Sequence, residues 1–357
     1  MPGGVAVSTP RVAVHDELIA VLSVTFVTGH RGRGIGPSTG TFRSMPTTSD
    51  RAIRERTIDV GATLGWYCHG PADPTTWMNV IGRGIASSGR FVRATLTPDG
   101  PGTLQITWQP KTGDDVHIES YGPGGDWLQA RAPHMLGHHD SHDHRLHLDP
   151  HPKVAAAARH DSLRIGASGD LYHELLPTVI EQRITIGEAH RQWSRLCLEL
   201  GDPAPGPFRR LVLPPDPAVL ARQPSWWFHP LGIERKRAEP LINIARHADK
   251  FWTWAQLPPA EAGAMLRLIP GIGQWTVGTV LATALGDPDA VAVGDFHLKN
   301  IVANTLAGEP RATDERMLEL LDPYVGQRGR VVRLLLRNGG STPKYGPKKR
   351  ILPMHAW

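Results

Sequence analysis

Apolar and polar residues alternate in several short segments of the first 129 positions. Alternation with a period of two is typical of half-buried strands, and the sequence Pro98-Asp99-Gly100 predicts a turn between two of them. We predict strands at Thr57–Val60, Arg90–Leu96, Thr103–Trp108 and Asp115–Tyr121. Short strands in succession predict a small antiparallel meander.

From Asp170 onward, apolar residues recur three and four positions apart, which predicts helices. The first predicted helix has its apolar face at Leu171, Leu175, Val179 and Ile180. Thr185 and Glu188 have the spacing of a capping box, so a second helix is expected to begin there. Further helices are predicted over 233–249, 260–268, 274–285 and 329–336, and after Thr313. We therefore predict an α+β fold, in which an N-terminal antiparallel sheet is followed by an all-helical part.

This change of pattern divides the chain into regions. They are a poorly structured extension (1–45), a β-rich domain (46–133), a histidine-rich linker (134–152), a helical region (153–340) and a basic tail (341–357). A start of translation at Met45 is an alternative explanation of the extension. Leu18–Val27 is apolar but too short to span a bilayer, and it lacks the flanks of a signal peptide, so we expect no membrane association.

Composition and charge narrow the function only slightly. An apolar fraction of 40% in 357 residues is ordinary for a soluble protein of two or three domains. A net charge of +5 is a weak indication of a polyanionic partner. Because Cys68 and Cys197 are the only cysteines, we expect a reducing compartment, the cytoplasm, and no four-cysteine iron–sulfur cluster.

Histidine and aspartate residues are frequent in the predicted linker. They are His134, His138, His139, Asp140, His142, Asp143, His144, His147 and His151. These side chains are of the types that bind zinc or nickel. The alternative is a solvated linker, which the polarity of the segment and its lack of cysteine favour.

The segment with the most specific chemistry is Leu268–Val277, with the sequence LIPGIGQWTV. Pro270 cannot continue the preceding helix, and Gly271 and Gly273 permit a tight turn, so the pattern predicts a helix-hairpin-helix. The glycine amides and the first turn of the second helix lack side-chain cover, which makes an anion site suited to a DNA phosphate. Asp295 follows in VGDFHL, where apolar neighbours are expected to bury it at a helix start.

Together, LIPGIGQWT and VGDFHL resemble the signature of the helix-hairpin-helix (HhH-GPD) DNA glycosylases, most closely the alkylpurine or DNA-3-methyladenine glycosylase II branch. The resemblance implies a monofunctional enzyme of base excision repair. Such an enzyme flips an alkylated purine, for example 3-methyladenine, out of double-stranded DNA and releases it by hydrolysis. Asp295 would be the catalytic residue, stabilising the positive charge that the sugar gains. Trp275 occupies the position at which bifunctional relatives have a lysine, so no lyase activity is expected.

The same resemblance implies DNA-binding residues in two loops. Gly271, Gly273 and Thr276 of the hairpin would hold the DNA backbone. Gln182 and Arg183, in the loop between two predicted helices, would fill the gap that the flipped base leaves. Arginine would do so by stacking its guanidinium plane and pairing with phosphate.

Base-pocket residues and a bound ion are also implied. The pocket walls would be Trp275, which suits a cationic base, together with Trp227 and Phe228. The last two are equally well explained as core aromatics. No cofactor is required, but a sodium or potassium ion would bind backbone carbonyls of the hairpin, at Arg267, Ile269 and Ile272.

Two alternatives stay open on sequence alone. One is a glycosylase for another lesion, such as uracil or hypoxanthine, because the shape of a pocket cannot be read from a sequence. The other is a non-catalytic protein that uses the hairpin to bind DNA phosphates. In both enzymatic cases we expect a monomer whose partner is double-stranded DNA with damaged bases.

Overall fold

The computed structural model describes residues 48–54, 58–109, 115–140, 148, 150–160 and 162–341. Within this part of the chain an antiparallel sheet is followed by a series of helices, which confirms the predicted α+β class. The predicted extension 1–45 and the tail from residue 342 lie outside the described residues. None of the described helices is both long enough and apolar enough to cross a membrane.

The sheet has five antiparallel strands in the order β1-β5-β4-β3-β2. They are β1 (Thr48–Arg54), β2 (Thr76–Ile81), β3 (Ser88–Thr97), β4 (Gly100–Trp108) and β5 (Asp115–Tyr121). The last three match predicted strands, and the β3–β4 turn is at the predicted position. The sequence pattern does not predict β2, because its outward residues Trp77 and Ile81 are themselves apolar and hydrophobicity does not alternate.

The strand predicted at Thr57–Val60 is wrong for its described residues. Helix α1 (Val60–Leu64) begins there because the side chain of Asp59 accepts a hydrogen bond from Ala62 N at 3.0 Å and caps the helix. A 3₁₀ turn at Gly65–Tyr67 follows. This turn leads the chain away from the sheet and towards the helical part.

Both faces of the sheet are covered. On one face α2 (Gly125–Met135) packs its buried side chains against those of the strands, among them Phe91, Leu104, Ile106 and Ile118. On the other face Val92 and Ala94 pack against Leu211 and Leu213 from the connector between helices. Strand β3 is therefore buried on both sides, and its side chains link the sheet to the helical part.

Helices α3 to α13 make up the rest of the described chain. They are α3 (Pro152–His160), α4 (Leu171–Ile180), α5 (Ile186–Leu200), α6 (Pro217–Ala221), α7 (Arg235–Arg246), α8 (Ala248–Trp254), α9 (Pro259–Leu266), α10 (Gln274–Val280), α11 (Leu298–Ala307), α12 (Asp314–Leu321) and α13 (Arg328–Arg337). After α10 the chain continues in one π-helical turn, Leu281–Leu285. One apolar core surrounds α4 and includes α5 and α7 to α10, and a second joins α3 to α11, α12 and α13.

Two local predictions in the helical part are wrong. The helix predicted over 233–249 is two helices, because His247 leaves the helical conformation between α7 and α8. Thr185 does precede α5, but its side chain makes no capping bond. The capping box does not form because the Glu188 carboxylate instead accepts hydrogen bonds from Arg191 and Gln192.

Helix α4 is buried along its whole length, including its polar residues. Glu174 Oε1 accepts a hydrogen bond from Arg93 Nη2 of β3 at 2.7 Å. The His173 ring lies between the hydroxyls of Thr75 and Thr95, at 3.1 and 2.8 Å. Burial lowers the pKa of His173 well below its ordinary value, so the ring is neutral. The sheet thus supplies the partners that let a polar helix face be buried.

Arg93→Met should lower the free energy of unfolding by about 3–5 kcal/mol, because it leaves the Glu174 carboxylate buried without its counter-charge. The double variant Arg93→Met/Glu174→Leu removes both charges and should lose less than the single variant. Urea denaturation of the three proteins measures the difference. A double variant less stable than Arg93→Met would contradict this account of the ion pair.

Candidate active site

A cavity lies where the turn after α1 meets the two helical cores. It is lined by Gly65, Trp66, Cys68, His69, Glu174, Thr178, Glu181, His190, Gly278, Thr279, Ala282, Thr283, Ala290, Ala292, Asp295, His297, Leu298, Ile301, Gly329, Val332, Arg333 and Leu336. These residues come from α4, α5, α10, α11 and α13 as well as from the N-terminal turn. The cavity therefore requires both the sheet-bearing part and the helical part of the chain.

The predicted hairpin lies between α9 and α10. Ile269 and Ile272 are buried beneath it and fix it to the α4 core, whereas the backbone at Gly271 and Gly273 is exposed. Gly271 has a φ of 94°, and a Cβ atom there would lie 2.2 Å from Cγ of Pro240 on α7. Glycine at this position is thus required both by conformation and by the close approach of α7.

Gln182 connects the loop after α4 to the hairpin. Its Nε2 donates to Gly271 O at 3.1 Å and to Thr276 Oγ1 at 2.9 Å. The Thr276 side chain is only 1% exposed, so the DNA contact predicted for this residue stays a prediction for its backbone N–H in the first turn of α10. The hydroxyl faces inward, where it accepts the hydrogen bond from Gln182 Nε2.

Arg183 follows Gln182 and is exposed. Its φ is 62°, and no other non-glycine residue of the described ranges has a positive φ. A long side chain in the left-handed region costs energy and persists where the surrounding structure enforces it. The arginine predicted to enter the DNA is therefore held in a strained conformation at the tip of its loop.

Asp295 is half-buried at the cavity wall, and its carboxylate is held by three donors. Oδ1 accepts from the backbone N–H groups of His297 and Leu298, both at 2.8 Å, and so caps α11. Oδ2 accepts from the indole Nε1 of Trp275 at 3.2 Å. Because all three contacts are donors, they suit the ionised form, which only accepts hydrogen bonds. The arrangement presents a fixed negative charge to the cavity.

The three aromatic residues predicted as pocket walls do not line this cavity. Trp275 is not among the lining residues, and its indole N–H donates to Asp295, so its contact with a base stays a prediction. Phe228 is fully buried in the α4 core, and Trp227 packs against the same core. Both belong to a 3₁₀ stretch, Ser225–Leu231, whose apolar side faces inward.

Sequence reasoning missed the aromatic residue that does line the cavity, Trp66. It is the only Phe, Trp or Tyr among the lining residues of the described chain, and the Arg333 guanidinium lies 4.4 Å from the centre of its ring. Burial lowers the pKa of Arg333 to about 10, which still leaves it charged at neutral pH. Trp66 belongs to no segment with a recognisable motif, and it is more than 200 residues from Asp295 in the sequence, so the sequence carries no signal for this role.

The hairpin also offers backbone oxygens to an ion. Ile269 O accepts from Ile272 N at 3.1 Å, whereas no donor in the described part of the chain reaches the carbonyls of Arg267 and Ile272. Carbonyl oxygens are suitable ligands for alkali-metal ions. The residues present therefore fit a monovalent cation.

In the predicted linker, His134 and His139 lie against each other, with their Nε2 atoms 3.1 Å apart. Burial, Arg131 and the neighbouring histidines lower the pKa of His134 to about 4, so its ring is neutral at neutral pH. Within the described ranges no three metal-binding side chains come together. Four of the candidates, His142, Asp143, His144 and His147, lie outside those ranges.

Comparison with known proteins gives matches in structure but not in sequence. No protein-family model and no curated protein matches the chain. A 3-methyladenine DNA glycosylase from Archaeoglobus fulgidus matches with a TM-score of 0.66 and 17% identity, over 80% of this chain and 96% of that one. An 8-oxoguanine glycosylase/lyase from Clostridium acetobutylicum, solved with DNA, matches with a TM-score of 0.55 and 13% identity, over 73% of this chain and 97% of that one. The chain has the helix-hairpin-helix DNA glycosylase fold.

The two hairpin glycines of this glycosylase fold should respond differently to a methyl group. Gly271→Ala should lower the free energy of unfolding by about 2–4 kcal/mol, because alanine is strained at positive φ and meets the Pro240 ring. Gly273→Ala should cost less than about 1 kcal/mol, since Gly273 has an extended backbone and no atom lies near the added Cβ. Thermal or urea denaturation measures both. Equal losses would show that the hairpin does not depend on the Gly271–Pro240 contact.

Proposed function

We propose that this protein is a monofunctional DNA glycosylase that releases alkylated purines, such as 3-methyladenine, from double-stranded DNA. The observation that carries the proposal is the fixed carboxylate of Asp295 at the wall of a cavity, next to a hairpin with exposed glycine backbone. A binding module would need the hairpin alone. A glycosylase needs the hairpin, a charge and a space for the base.

The chemistry follows from the charge at Asp295. Cleavage of the bond between the base and C1′ places positive charge on the sugar, and a preorganised carboxylate stabilises it. The electron pair of the broken bond goes to the cationic base, which leaves as a neutral molecule, and a water molecule adds its oxygen to C1′ and loses a proton to solvent. Asp295 can orient this water, while Trp275 Nε1 and the start of α11 keep the carboxylate from rotating away.

Two loops would hold the extruded nucleotide. The exposed amides at Gly271 and Gly273 suit a phosphate of the DNA strand. Arg183 is exposed at the tip of the neighbouring loop and would fill the gap in the base stack. The bonds from Gln182 to the hairpin keep these two contacts at a constant separation.

The lining of the cavity supports a cationic substrate and hydrolysis. Three carboxylates, Glu174, Glu181 and Asp295, line the cavity and outnumber the arginine that also lines it, Arg333, which lies over the electron-rich ring of Trp66. Such a lining favours a purine that carries a positive charge after alkylation. None of the lining residues in the described chain is a lysine, which supports base release without strand cleavage.

We further propose that a sodium or potassium ion binds the hairpin at the carbonyls of Arg267, Ile269 and Ile272. Such an ion would fix the turn and would take no part in the hydrolysis. The protein would act as a monomer on damaged duplex DNA in the cytoplasm. The basic pI of about 9.4 is consistent with a nucleic-acid partner.

Asp295→Asn should slow base release by about 10²–10³-fold or more while leaving the fold and duplex binding intact. The amide oxygen can still accept from His297 and Leu298, so the variant removes the charge and keeps the cap. Release of 3-methyladenine and 7-methylguanine from methylated duplex DNA is measured by chromatography, and strand breaks are measured on gels before and after alkali. Breaks that appear without alkali would contradict the monofunctional assignment.

The same assay separates the alternatives. Oligonucleotides with a single uracil or hypoxanthine test the lesion range under the same conditions. Release of uracil or hypoxanthine, and not of methylated purines, would leave the proposed role of Asp295 in place and change the proposed substrate. Duplex binding with no base released from any substrate would indicate a non-catalytic DNA-binding protein.

Arg183→Gly should slow base release by about 10- to 100-fold, because the gap left by the base would stay empty. The free energy of unfolding should change by less than about 1 kcal/mol, since glycine accepts the positive φ without strain. The loss should be smaller for a lesion opposite a mismatched base, which leaves the stack more easily. Arg191→Ala, at another exposed arginine on α5, is the matched control and should not affect release.

A further inference from the structure

The proposed hydrolysis leaves one group of titratable side chains in the cavity unexplained. His69, in the segment after the 3₁₀ turn, lines the cavity with Glu174, Glu181 and His190. Asp295 lines the same cavity. A base that enters to reach Asp295 would therefore share this space with the His69 ring.

Acidic groups surround His69. Its Nδ1 is 3.6 Å from Glu181 Oε1, its Nε2 is 4.0 Å from Glu174 Oε2, and its backbone N–H donates to Asp73 Oδ2 at 3.1 Å. Burial alone would lower the pKa of His69. Glu181 foremost, with Asp73 and Glu174, outweighs burial and raises the pKa above its ordinary value.

Few positive charges oppose this effect. Arg93, on β3, is already paired with Glu174. Burial lowers the pKa values of His190 on α5 and His173 on α4, so both rings are neutral at neutral pH. On its remaining side the His69 ring meets the edge of an apolar indole, that of Trp193. The balance of charges around His69 thus favours the imidazolium form.

The Nε2 atom of His69 has no partner. It is shielded from solvent and makes no hydrogen bond within the described part of the chain. Its nearest acceptor, Glu174 Oε2 at 4.0 Å, is beyond hydrogen-bonding distance. A buried donor without an acceptor is unfavourable, and a rotation of the partly exposed His69 ring would bring Nε2 against an acceptor on a base in the cavity. The ring nitrogens and carbonyl oxygens of a purine are acceptors of this kind.

We infer that His69 donates its Nε2 proton to the departing base and so extends the reaction from cationic to neutral purines; this inference rests on the proposed function. The bond from C1′ to the base nitrogen breaks, and its electron pair moves into the base. The Nε2 proton is transferred to a ring nitrogen or carbonyl oxygen of the base, while the oxygen of water bonds to C1′. The proton that this water loses is returned to the imidazole through solvent. The products are an abasic site and a neutral base.

The proton is needed for only one class of substrate. A purine alkylated at N3 or N7 is already cationic and leaves as a neutral molecule. Hypoxanthine is neutral in DNA and would leave as an anion unless it is protonated. His69 would therefore determine the substrate range, whereas Asp295 serves both classes.

The test compares two substrates in single-turnover assays of the full-length protein. One is 7-methylguanine in methylated duplex DNA, and the other is hypoxanthine in a defined duplex. His69→Phe should slow release of hypoxanthine by about 10²–10⁴-fold and slow release of 7-methylguanine by less than about 3-fold. His69→Gln keeps a donor but has no proton to transfer, so it should restore only part of the hypoxanthine rate. His229→Gln, at an exposed histidine that does not line the cavity, should leave the ratio of the two rates unchanged.

The pH dependence gives a second readout. Because His69 has a raised pKa, it is protonated below that pKa and loses its proton as the pH rises through it. Hypoxanthine release should therefore fall with rising pH in the wild-type protein, and 7-methylguanine release should show no such fall. His69→Phe and His69→Gln should each abolish the difference between the two pH profiles.

The outcomes are distinct. A wild-type protein that releases 7-methylguanine but not hypoxanthine overturns this inference and leaves the proposed function in place. Equal losses for both substrates in His69→Phe, or profiles with the same pH dependence, also overturn it, because they indicate a structural role. Release of neither base by the wild-type protein is a failure of the proposed function itself.

Discussion

The burial of α4 is the constraint on which the rest of the structure depends. A helix enclosed on all sides can carry polar residues only if other elements supply their partners. These partners are Arg93 and Thr95 of β3 and Thr75, which directly precedes β2, and they reach Glu174 and His173. A buried charge without its partner would be strongly destabilising. Separation of the sheet from the helical part would therefore leave these groups either exposed to water or buried without partners. The sheet thus fixes the position of α4.

Helix α4 in turn positions the candidate active site. Glu174 and Thr178 of α4 line the cavity, and the helix ends at Ile180, just before Gln182 and Arg183. The bonds from Gln182 to Gly271 and Thr276 then attach the end of α4 to the hairpin. From the hairpin, α10 carries Trp275 to Asp295. The hairpin, the loop that carries Arg183 and the carboxylate of Asp295 are thus connected through direct hydrogen bonds.

The sequence predicts those parts of the site that depend on local structure. A proline and two glycines specify the hairpin whatever surrounds them, and Asp295 lies shortly before α11, whose Leu298 N–H donates to its carboxylate. The strands β3, β4 and β5 are also predicted, because turn residues separate them. Trp66 and His69 could not be found in this way, since they enter the cavity only when the N-terminal turn packs on helices more than 100 residues away. Phe228 shows the opposite error, because a run of aromatic residues does not reveal which ring the core will bury.

The same hydrogen bonds explain why the backbone of Arg183 stays strained. A positive φ at a long side chain would relax if the loop could move, but the neighbouring Gln182 is bonded to the hairpin and Ile180 O accepts from the buried Arg237. The loop is therefore held on both sides of its bend. If Arg183 enters DNA as proposed, a rigid, strained loop would present its side chain without the loss of backbone entropy that a flexible loop would incur on binding. On the proposed function, the energy stored at this position would be the cost of having Arg183 in place before the base leaves the stack.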